Sequence, residues 1–321
     1  MSVFTSVSRD ELVEFLSGYD VGELIDYSGI EAGVENTNYF VSASAGRYVL
    51  TLFEKHQADE LLFYLELMQH LAAAGIPVAC PVVDQNACLL QTMNGKPAAL
   101  IERLSGSTEA EVSVGACAAI GQTLARIHLA AAEFPQQRYA ERGHAWRMQT
   151  AAEVLSDVSA ADAELLRQEI NFQQSLALDS HALPQGIIHA DLFLDNALFD
   201  RGKLTGVIDW YYACNDFWLY DLAVVVNDWC CRSDGALDEA KLKACLWHYH
   251  QERPLTAEEA VCWPGLLRAA ALRFWLSRLL DQLYPRAGEI VLQKDPGEFR
   301  NKLLLRIGET ELIRSCWPVR L

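Results

Sequence analysis

Hydrophobic positions in the first third of the chain follow the short period of β-strands and then the longer period of a helix. Three apolar runs, separated by polar turns that contain glycine, predict consecutive strands over 24–30, 38–43 and 48–53. Apolar residues at helical spacing predict a helix over 59–74, which Gly75 and Pro77 bring to an end. This part of the chain therefore predicts a small antiparallel sheet with one main helix.

Shorter patterns complete this part. Ser8 begins the sequence Ser-Arg-Asp-Glu, a capping box that predicts a short amphipathic helix. Two apolar runs, 81–83 and 87–90, predict a further hairpin around the polar residues between them. The run 97–101 predicts the last strand of the sheet.

The rest of the chain has mainly helical periodicity. Thr108-x-x-Glu111 has the form of a helix cap and predicts the start of a long helix that ends near Ala132. Within that helix His128 lies on the apolar side, and we interpret it as a packed core histidine. Further helices are predicted over 146–156, 160–178, 221–230, 237–251, 256–283 and 297–306. The first two of these are interpreted as a solvent-facing insert, because the second is polar and acidic.

Composition narrows the class of protein. The 321 residues are enough for two domains, and a hydrophobic share of 51% indicates an ordinary globular chain. The formal charge of −17 argues against a nucleic-acid partner, because binding to phosphates requires a basic surface. No basic segment followed by an apolar run marks a signal peptide, and no apolar run has the length of a membrane span. We therefore expect a cytoplasmic protein with no membrane or nucleic-acid partner.

The nine cysteines are scattered along the chain. There is no Cys-x-x-Cys, and the adjacent pair Cys230-Cys231 is poorly suited to a disulfide. We interpret the cysteines as reduced residues of the interior. A zinc site is the alternative, although no group of His and Cys has the usual spacing.

Candidate chemistry is concentrated in the stretch 189–196 and in the later Asp209. Apolar runs on both sides of the turn at 200–203 predict a hairpin, in which Asn196 and Asp209 are equidistant from the turn. Asp191 lies one loop away. Hard oxygen ligands that converge in this way suit Mg²⁺, which keeps several waters and binds substrate phosphates.

His189-x-Asp191-x₄-Asn196, followed by an apolar pair and Asp209, resembles the catalytic and metal-binding loops of the aminoglycoside phosphotransferase and choline kinase superfamily. The resemblance implies an α+β, bilobal protein-kinase-like fold, with a small N-terminal antiparallel β-sheet lobe with one main helix and a larger, mainly α-helical C-terminal lobe. It implies transfer of phosphate from ATP with Mg²⁺, in which Asp191 is the catalytic base and His189 belongs to the same catalytic motif. Asn196 and Asp209 then hold the Mg²⁺, and Asp221 accepts N–H groups of the catalytic loop. A surface loop with chance acidic residues is the alternative that the motif and the hairpin together disfavour.

The same resemblance places the boundary between the lobes at the segment 102–106. It implies a nucleotide-binding lobe over 1–103 and a catalytic and substrate-binding lobe over 104–321. The residues implied at the nucleotide lie in the first hairpin, the third strand and the hinge: Asn36, Thr37, Asn38, Thr51, Glu102 and Leu104. Thr51 occupies the strand position where the superfamily usually has Lys or Arg, and either Arg47 or Lys55 is expected to supply that charge.

Three further runs, 48–54, 227–230 and 273–279, are similar to the bacterial homoserine kinases of this superfamily. The similarity implies that L-homoserine is the small-molecule substrate and that O-phospho-L-homoserine is made for threonine biosynthesis, by a monomer or homodimer. Two alternatives remain open. One is a kinase of the same fold for an aminoglycoside, choline or methylthioribose, and the other is a nucleotide-binding scaffold without turnover.

Homoserine carries a carboxylate and an ammonium besides its hydroxyl, and each needs a partner of opposite charge. Arg273 and Arg278 lie within an apolar stretch of the long helix predicted over 256–283, and Asp228 lies in a similarly apolar stretch. We expect one of these arginines to bind the carboxylate and Asp228 to face the ammonium. The alternative is an internal Arg–Asp pair that joins two helices.

Overall fold

The computed structural model describes residues 5–30, 36–176, 183–284 and 294–318. The chain divides into two compact units. The first comprises residues 1–106 with 205–211, and the second comprises residues 107–204 with 212–321. Within the described ranges, no helix is both long enough and apolar enough to cross a membrane.

The first unit is built on a five-stranded antiparallel sheet in the order β1-β2-β3-β5-β4. Its elements are α1 (Arg9–Leu16), β1 (Leu24–Gly29), β2 (Thr37–Ala43), β3 (Gly46–Leu52), α2 (Ala58–Ala73), β4 (Gln91–Met93) and β5 (Lys96–Glu102). The predicted strands, helices and capping box at Ser8 are confirmed. Gly75 directly follows the end of α2 with φ 78°, a left-handed conformation that suits glycine.

The predicted hairpin over 81–83 and 87–90 is wrong. The stretch is a loop that the Asp84 carboxylate closes, because it accepts the N–H groups of Asn86 and Cys88 at 2.9 and 2.8 Å. Asx turns of this kind compete with strand pairing, so the apolar residues on either side do not form a hairpin. The partner of the last strand is instead β4, which begins at Gln91.

The second unit is mainly helical. The remaining elements are α3 (Val114–Ala131), α4 (His144–Glu153), α5 (Ala160–Ser175), β6 (Gln185–Ile188), β7 (Ala197–Asp200), β8 (Lys203–Val207), β9 (Cys214–Phe217), α6 (Trp218–Trp229), α7 (Glu239–Glu252), α8 (Ala257–Leu283), α9 (Pro296–Gly308) and α10 (Thr310–Ser315). β6 pairs with β9, and β7 pairs with β8 in the predicted hairpin. A small antiparallel sheet and a larger helical part confirm the predicted fold class.

Two expectations for this unit are wrong. Helix α3 begins at Val114 with Ser113 as its cap, not at Thr108, since the Ser113 hydroxyl accepts the N–H of Ala116 at 3.0 Å. Helix α5 is not simply solvent-facing, because Glu169 is fully buried and forms an ion pair with Arg268. The predicted end of α5 near residue 178 lies outside the described residues. Helix α10 was not predicted.

All nine cysteines are free thiols, as expected, but the expectation that all lie in the interior is wrong, because Cys88 is exposed and Cys80, Cys231 and Cys262 are only partly buried.

Candidate active site

The predicted catalytic loop, residues 189–196, connects β6 to β7 and ends in a short 3₁₀ turn, Leu194–Asn196. Strand β6 ends at Ile188, which is buried. The loop is held by the side chains of one neighbouring helix, α6, at several points along its backbone. These contacts all lie within the second unit.

Asp221, in the first turn of α6, holds the start of the loop. Its two carboxylate oxygens accept the backbone N–H groups of His189 and Ala190, each at 2.8 Å. Ala190 has φ 64°, a left-handed conformation that is strained for any residue other than glycine. The predicted role of Asp221 as an acceptor for buried loop N–H groups is confirmed.

His128 of α3 supports Asp221 from the opposite side. Its Nε2 lies 3.1 Å from the Asp221 carboxylate and its Nδ1 lies 2.8 Å from the Tyr249 hydroxyl, and the ring is fully buried. Burial lowers the pKa of His128, so the neutral ring donates from Nε2 and accepts at Nδ1. Burial alone raises the pKa of Asp221, but the hydrogen bonds from His128 and the loop outweigh it and the pKa lies below its usual value. The interpretation of His128 as a packed core histidine is confirmed.

Asp228 holds the far end of the loop. It lies seven residues after Asp221, two helical turns along the same face of α6, and accepts the N–H of Leu194 at 2.8 Å. The adjacent Trp229 donates its indole N–H to the carbonyl of Leu192 at 3.1 Å. Burial raises the pKa of Asp228, and Lys302, at 3.8 Å, opposes this effect. Sequence reasoning assigned Asp228 to a substrate ammonium and missed this contact with the loop.

Asp191 and Asn196 lie together within the loop. The Asn196 side-chain amide donates to the Asp191 carbonyl at 2.8 Å, and the Asp191 N–H donates to His189 Nδ1 at 3.3 Å. The Asp191 carboxylate accepts a hydrogen bond from the Arg273 guanidinium at 3.0 Å. Burial raises the pKa of Asp191, whereas the charge of Arg273 works against that rise.

Arg273, Arg278 and Asp228 have three different partners. Arg273 binds Asp191, with a side chain that is only 3% exposed, and its guanidinium carbon lies 3.8 Å from the centre of the Phe274 ring. Arg278 forms its ion pair with Glu298 of α9. The alternative of an ion pair between Asp228 and one of these arginines is therefore wrong.

Arg142 is a further cation near Arg273 that sequence reasoning missed. It lies just before α4, and its guanidinium carbon is 5.0 Å from the centre of the Tyr212 ring. The Arg273 guanidinium carbon is 5.4 Å from the centre of the same ring. The only sequence signal for Arg142 is its place before a helix of the predicted insert, far from the motif in the chain.

In the first unit, the residues that were predicted to bind the nucleotide in and near β2 and β3 are either hydrogen-bonded within the protein or buried. Thr51 donates its hydroxyl to the Asn38 side chain at 2.7 Å, and the two residues are direct partners in the β2–β3 register. Thr37 donates its hydroxyl to Glu54 at 2.6 Å. Asn36 is buried, and its amide oxygen has no hydrogen-bond partner within the described part of the chain.

The hinge segment is partly committed to the sheet. The Glu102 N–H donates to the Cys80 carbonyl at 2.9 Å, and the Arg103 N–H donates to the Arg47 carbonyl at 3.0 Å. The side chains of Arg47 and Lys55, the two candidates for the charge that Thr51 lacks, are both exposed.

Asp209 follows β8 in the first unit and has φ 63°, a second strained conformation at a predicted site residue. The next residue, Trp210, is fully buried, and Tyr211 packs edge-on against Phe53 and Tyr64. Asp191 and Asn196 belong to the second unit, so a shared metal site with Asp209 stays a prediction.

Comparison with known proteins places these features in a family. Residues 26–255 match the model of the phosphotransferase enzyme family, which is more than half of the chain. A homoserine kinase of Methylobacillus flagellatus is 49% identical over 317 residues, covering 99% of each chain. A homoserine kinase of Neisseria meningitidis serogroup B is 48% identical over 308 residues, covering 96% of this chain and all of the relative.

Solved structures share the fold at much lower identity. Spectinomycin phosphotransferase, in complex with ADP and spectinomycin, has a TM-score of 0.70 at 13% identity and covers 96% of this chain and 100% of its own. Amicoumacin kinase, in complex with AMP-PNP, Ca²⁺ and its ligand, has a TM-score of 0.67 at 15% identity, and the match covers 98% of this chain and 96% of the kinase. The predicted resemblance is confirmed: the chain belongs to the phosphotransferase enzyme family.

Proposed function

We propose that the chain transfers the γ-phosphate of ATP to the side-chain hydroxyl of L-homoserine, giving O-phospho-L-homoserine for threonine biosynthesis. The proposal rests on full-length relatives at 47–49% identity that are named homoserine kinase. Identity at that level over nearly the whole chain includes the substrate-binding part as well as the motif. The observation in the structure that carries the proposal is the ion pair between the buried Arg273 and Asp191, which lies on a loop fixed at both ends.

Asp191 is the proposed catalytic base. Its carboxylate orients the homoserine hydroxyl toward the phosphate and accepts the proton as the new P–O bond forms. Burial raises the pKa of Asp191, and the charge of Arg273 opposes that rise and favours the ionised carboxylate, which is the form that accepts the proton. His189 acts on the backbone, since its ring accepts the Asp191 N–H and its own N–H is bound by Asp221.

Asn196 and Asp209 are the proposed Mg²⁺ ligands. The Asn196 amide nitrogen is committed to the Asp191 carbonyl, which leaves the amide oxygen as the atom suited to a metal. An amide oxygen and a carboxylate form the hard donor set that Mg²⁺ takes together with waters and phosphate oxygens. The contribution of Asp209 rests on its sequence spacing and on the family resemblance. When bound, the ion neutralises charge on the phosphates.

The proposed nucleotide contacts come mainly from the backbone of the first unit. Thr37 and Thr51 use their hydroxyls within the protein, so the N–H groups around Asn36 and Thr37 are the better candidates to meet phosphates. At the hinge, the backbone groups of Glu102 and Leu104 are proposed to bind the adenine edge. In both places the identity of the side chain matters less than the path of the backbone.

The proposal is tested by measuring ADP release with ATP and Mg²⁺ in the presence of L-homoserine, choline, methylthioribose or an aminoglycoside. Release that depends on L-homoserine is the expected result. Release with one of the other acceptors instead would keep the phosphotransferase chemistry and reject the substrate. Nucleotide binding without release for any acceptor would favour a scaffold.

A further inference from the structure

Two guanidinium groups from distant parts of the chain approach one aromatic ring, and one of the two groups binds Asp191. Arg142 precedes α4, Arg273 lies in α8, and their guanidinium carbons are 5.0 and 5.4 Å from the centre of the Tyr212 ring. Arg273 also binds the Asp191 carboxylate at 3.0 Å. Two cations beside the same ring raise the local positive potential, which favours an anion that lies between them.

The Arg273 guanidinium has more hydrogen-bond donors than Asp191 uses. A guanidinium carries five N–H donors in a planar fork, and the Asp191 carboxylate takes one of them. The remaining contacts of its guanidinium within the described residues are with the rings of Tyr212 and Phe274, which accept no strong hydrogen bond. A second carboxylate can therefore bind Arg273 while Asp191 keeps its own hydrogen bond.

Arg142 is short of a strong partner. Its guanidinium makes one side-chain hydrogen bond within the described part of the chain, to the Ser277 hydroxyl at 3.4 Å, the long end of the range. Ser277 lies one turn after Arg273 on α8, so the serine directs Arg142 toward the same side of that helix. Arg142 is partly withdrawn from water and has no carboxylate partner among the described residues, a setting that favours an anionic ligand.

We propose that Arg142 and Arg273 together bind the carboxylate of the acceptor substrate, and that Arg142 makes the enzyme specific for a hydroxy acid over an alcohol that lacks the acid. This inference rests on the proposed function and names two residues that select its substrate. Arg273 is shared between the substrate carboxylate and Asp191. Arg278, paired with Glu298, has no part in this subsite.

The dimensions fit a short hydroxy amino acid. In L-homoserine the carboxylate carbon and the hydroxyl oxygen are separated by three carbon atoms, roughly 5 Å in the extended form. A carboxylate on Arg142 and Arg273 therefore leaves the hydroxyl within reach of Asp191, which is itself 3.0 Å from Arg273. The arrangement binds the substrate by the end that does not react and presents the end that does.

A purely structural role for Arg142 predicts a different result. If it only packs against Tyr212 and Ser277, its loss affects every acceptor alike. The comparison needs an acceptor that differs in the acid alone, and homoserinol, in which the carboxylate is reduced to a hydroxymethyl group, is such a compound. Selectivity is then the ratio of kcat/KM for L-homoserine to kcat/KM for homoserinol.

The test is to measure this ratio for the wild-type chain, Arg142→Met and Arg142→Lys. The subsite predicts that Arg142→Met lowers the ratio roughly 10- to 100-fold, mainly by raising KM for L-homoserine, as expected for a lost hydrogen bond to a charged group. Arg142→Lys restores part of the selectivity because the charge is kept. Arg126→Met, which removes an exposed arginine paired with Glu252, is the control and leaves the ratio unchanged.

The outcomes separate this inference from the proposed function. A wild-type chain that phosphorylates L-homoserine, with the same ratio in Arg142→Met, overturns the subsite alone. Equal losses of kcat/KM on both acceptors, with an unchanged melting temperature, also overturn it. A wild-type chain that does not phosphorylate L-homoserine rejects the proposed function, and the subsite with it.

Discussion

Two carboxylates of α6 hold the catalytic loop, and the same substitution by asparagine is expected to cost much more stability and kcat at one of them than at the other. Asp221→Asn and Asp228→Asn keep the size of the side chain and remove its charge. Asp221 serves three donors, since His189 N–H and His128 Nε2 share one oxygen and Ala190 N–H binds the other. Asp228 serves one backbone N–H, that of Leu194, and lies 3.8 Å from Lys302, which has a closer ion pair with Glu298.

An asparagine at 221 has only one acceptor oxygen. Its least costly orientation places that oxygen toward His189 and His128 and turns its NH₂ group toward the Ala190 N–H. One buried donor then loses its partner, at about 1–3 kcal/mol, and two hydrogen bonds lose the help of the charge, at about 1 kcal/mol each. Asp221→Asn should therefore lower the free energy of unfolding by roughly 3–5 kcal/mol.

An asparagine at 228 can keep its oxygen on the Leu194 N–H. The charge and the long contact with Lys302 are lost, but Lys302 keeps its ion pair with Glu298, so the expected cost is about 1 kcal/mol. The kinetic effect follows the same order. Without its hydrogen bond Ala190 relaxes from φ 64°, and the adjacent Asp191 moves, so kcat falls much further in Asp221→Asn than in Asp228→Asn.

The assay is urea unfolding of the three chains together with kcat at saturating ATP and acceptor. The Asp228 variant serves as the matched control on the same helix. An Asp221 variant within about 0.5 kcal/mol of wild type and with full kcat would refute the reasoning, because that is the scale of a neutral surface substitution. A larger loss in Asp228→Asn would refute it equally.

Three further predictions follow from the contacts of single side chains. Burial raises the pKa of Asp191, so kcat should fall on acidification at a pH above the usual pKa of a carboxyl group. Arg273→Met should move this fall to still higher pH because it removes the cation that opposes the rise, and a pH profile that does not move contradicts the pairing. Burial lowers the pKa of His128 in the folded chain, so the unfolded chain binds a proton at a higher pH than the folded chain does. The free energy of unfolding should therefore fall as the pH drops below about 6.5. His128→Gln should reduce this pH dependence in urea titrations, and an unreduced dependence would contradict the role of His128. Thr51→Val removes the hydrogen bond to Asn38 and should cost about 1 kcal/mol of stability. Because the hydroxyl is used within the protein, KM for ATP should stay nearly unchanged, and a KM for ATP that rises with no change in KM for the acceptor would place the Thr51 hydroxyl at the nucleotide.

Local signals in the sequence predicted local structure well. The capping box at Ser8, the glycine after α2 and the hairpin of β7 and β8 depend on neighbours a few residues apart, and all three are confirmed. Asp221 was placed correctly because the family resemblance supplied its distant partners. Two predictions from local signals are wrong because another local interaction forms instead. The Asp84 turn replaces the predicted hairpin, and the Ser113 cap replaces the predicted cap at Thr108.

Contacts between distant residues were not predictable from pattern. Glu169 looks like one more acidic residue of a polar helix, and only the fold brings it to Arg268, 99 residues away in the chain. Arg142 likewise has its partners 70 and 135 residues away, at Tyr212 and Ser277. Charged side chains are usually solvated, so a sequence alone gives no reason to expect these few to be buried and paired.

The central claim is that Asp191 directs phosphate from ATP to the hydroxyl of L-homoserine. Phosphorus-31 NMR of the reaction mixture, run with the wild-type chain, Asp191→Asn and the hairpin-turn control Asp200→Asn, tests it most directly. The account predicts a phosphate monoester on the homoserine side-chain oxygen with the wild type and the control, and almost none with Asp191→Asn. No ester with the wild-type chain, or an undiminished rate in Asp191→Asn, would contradict it.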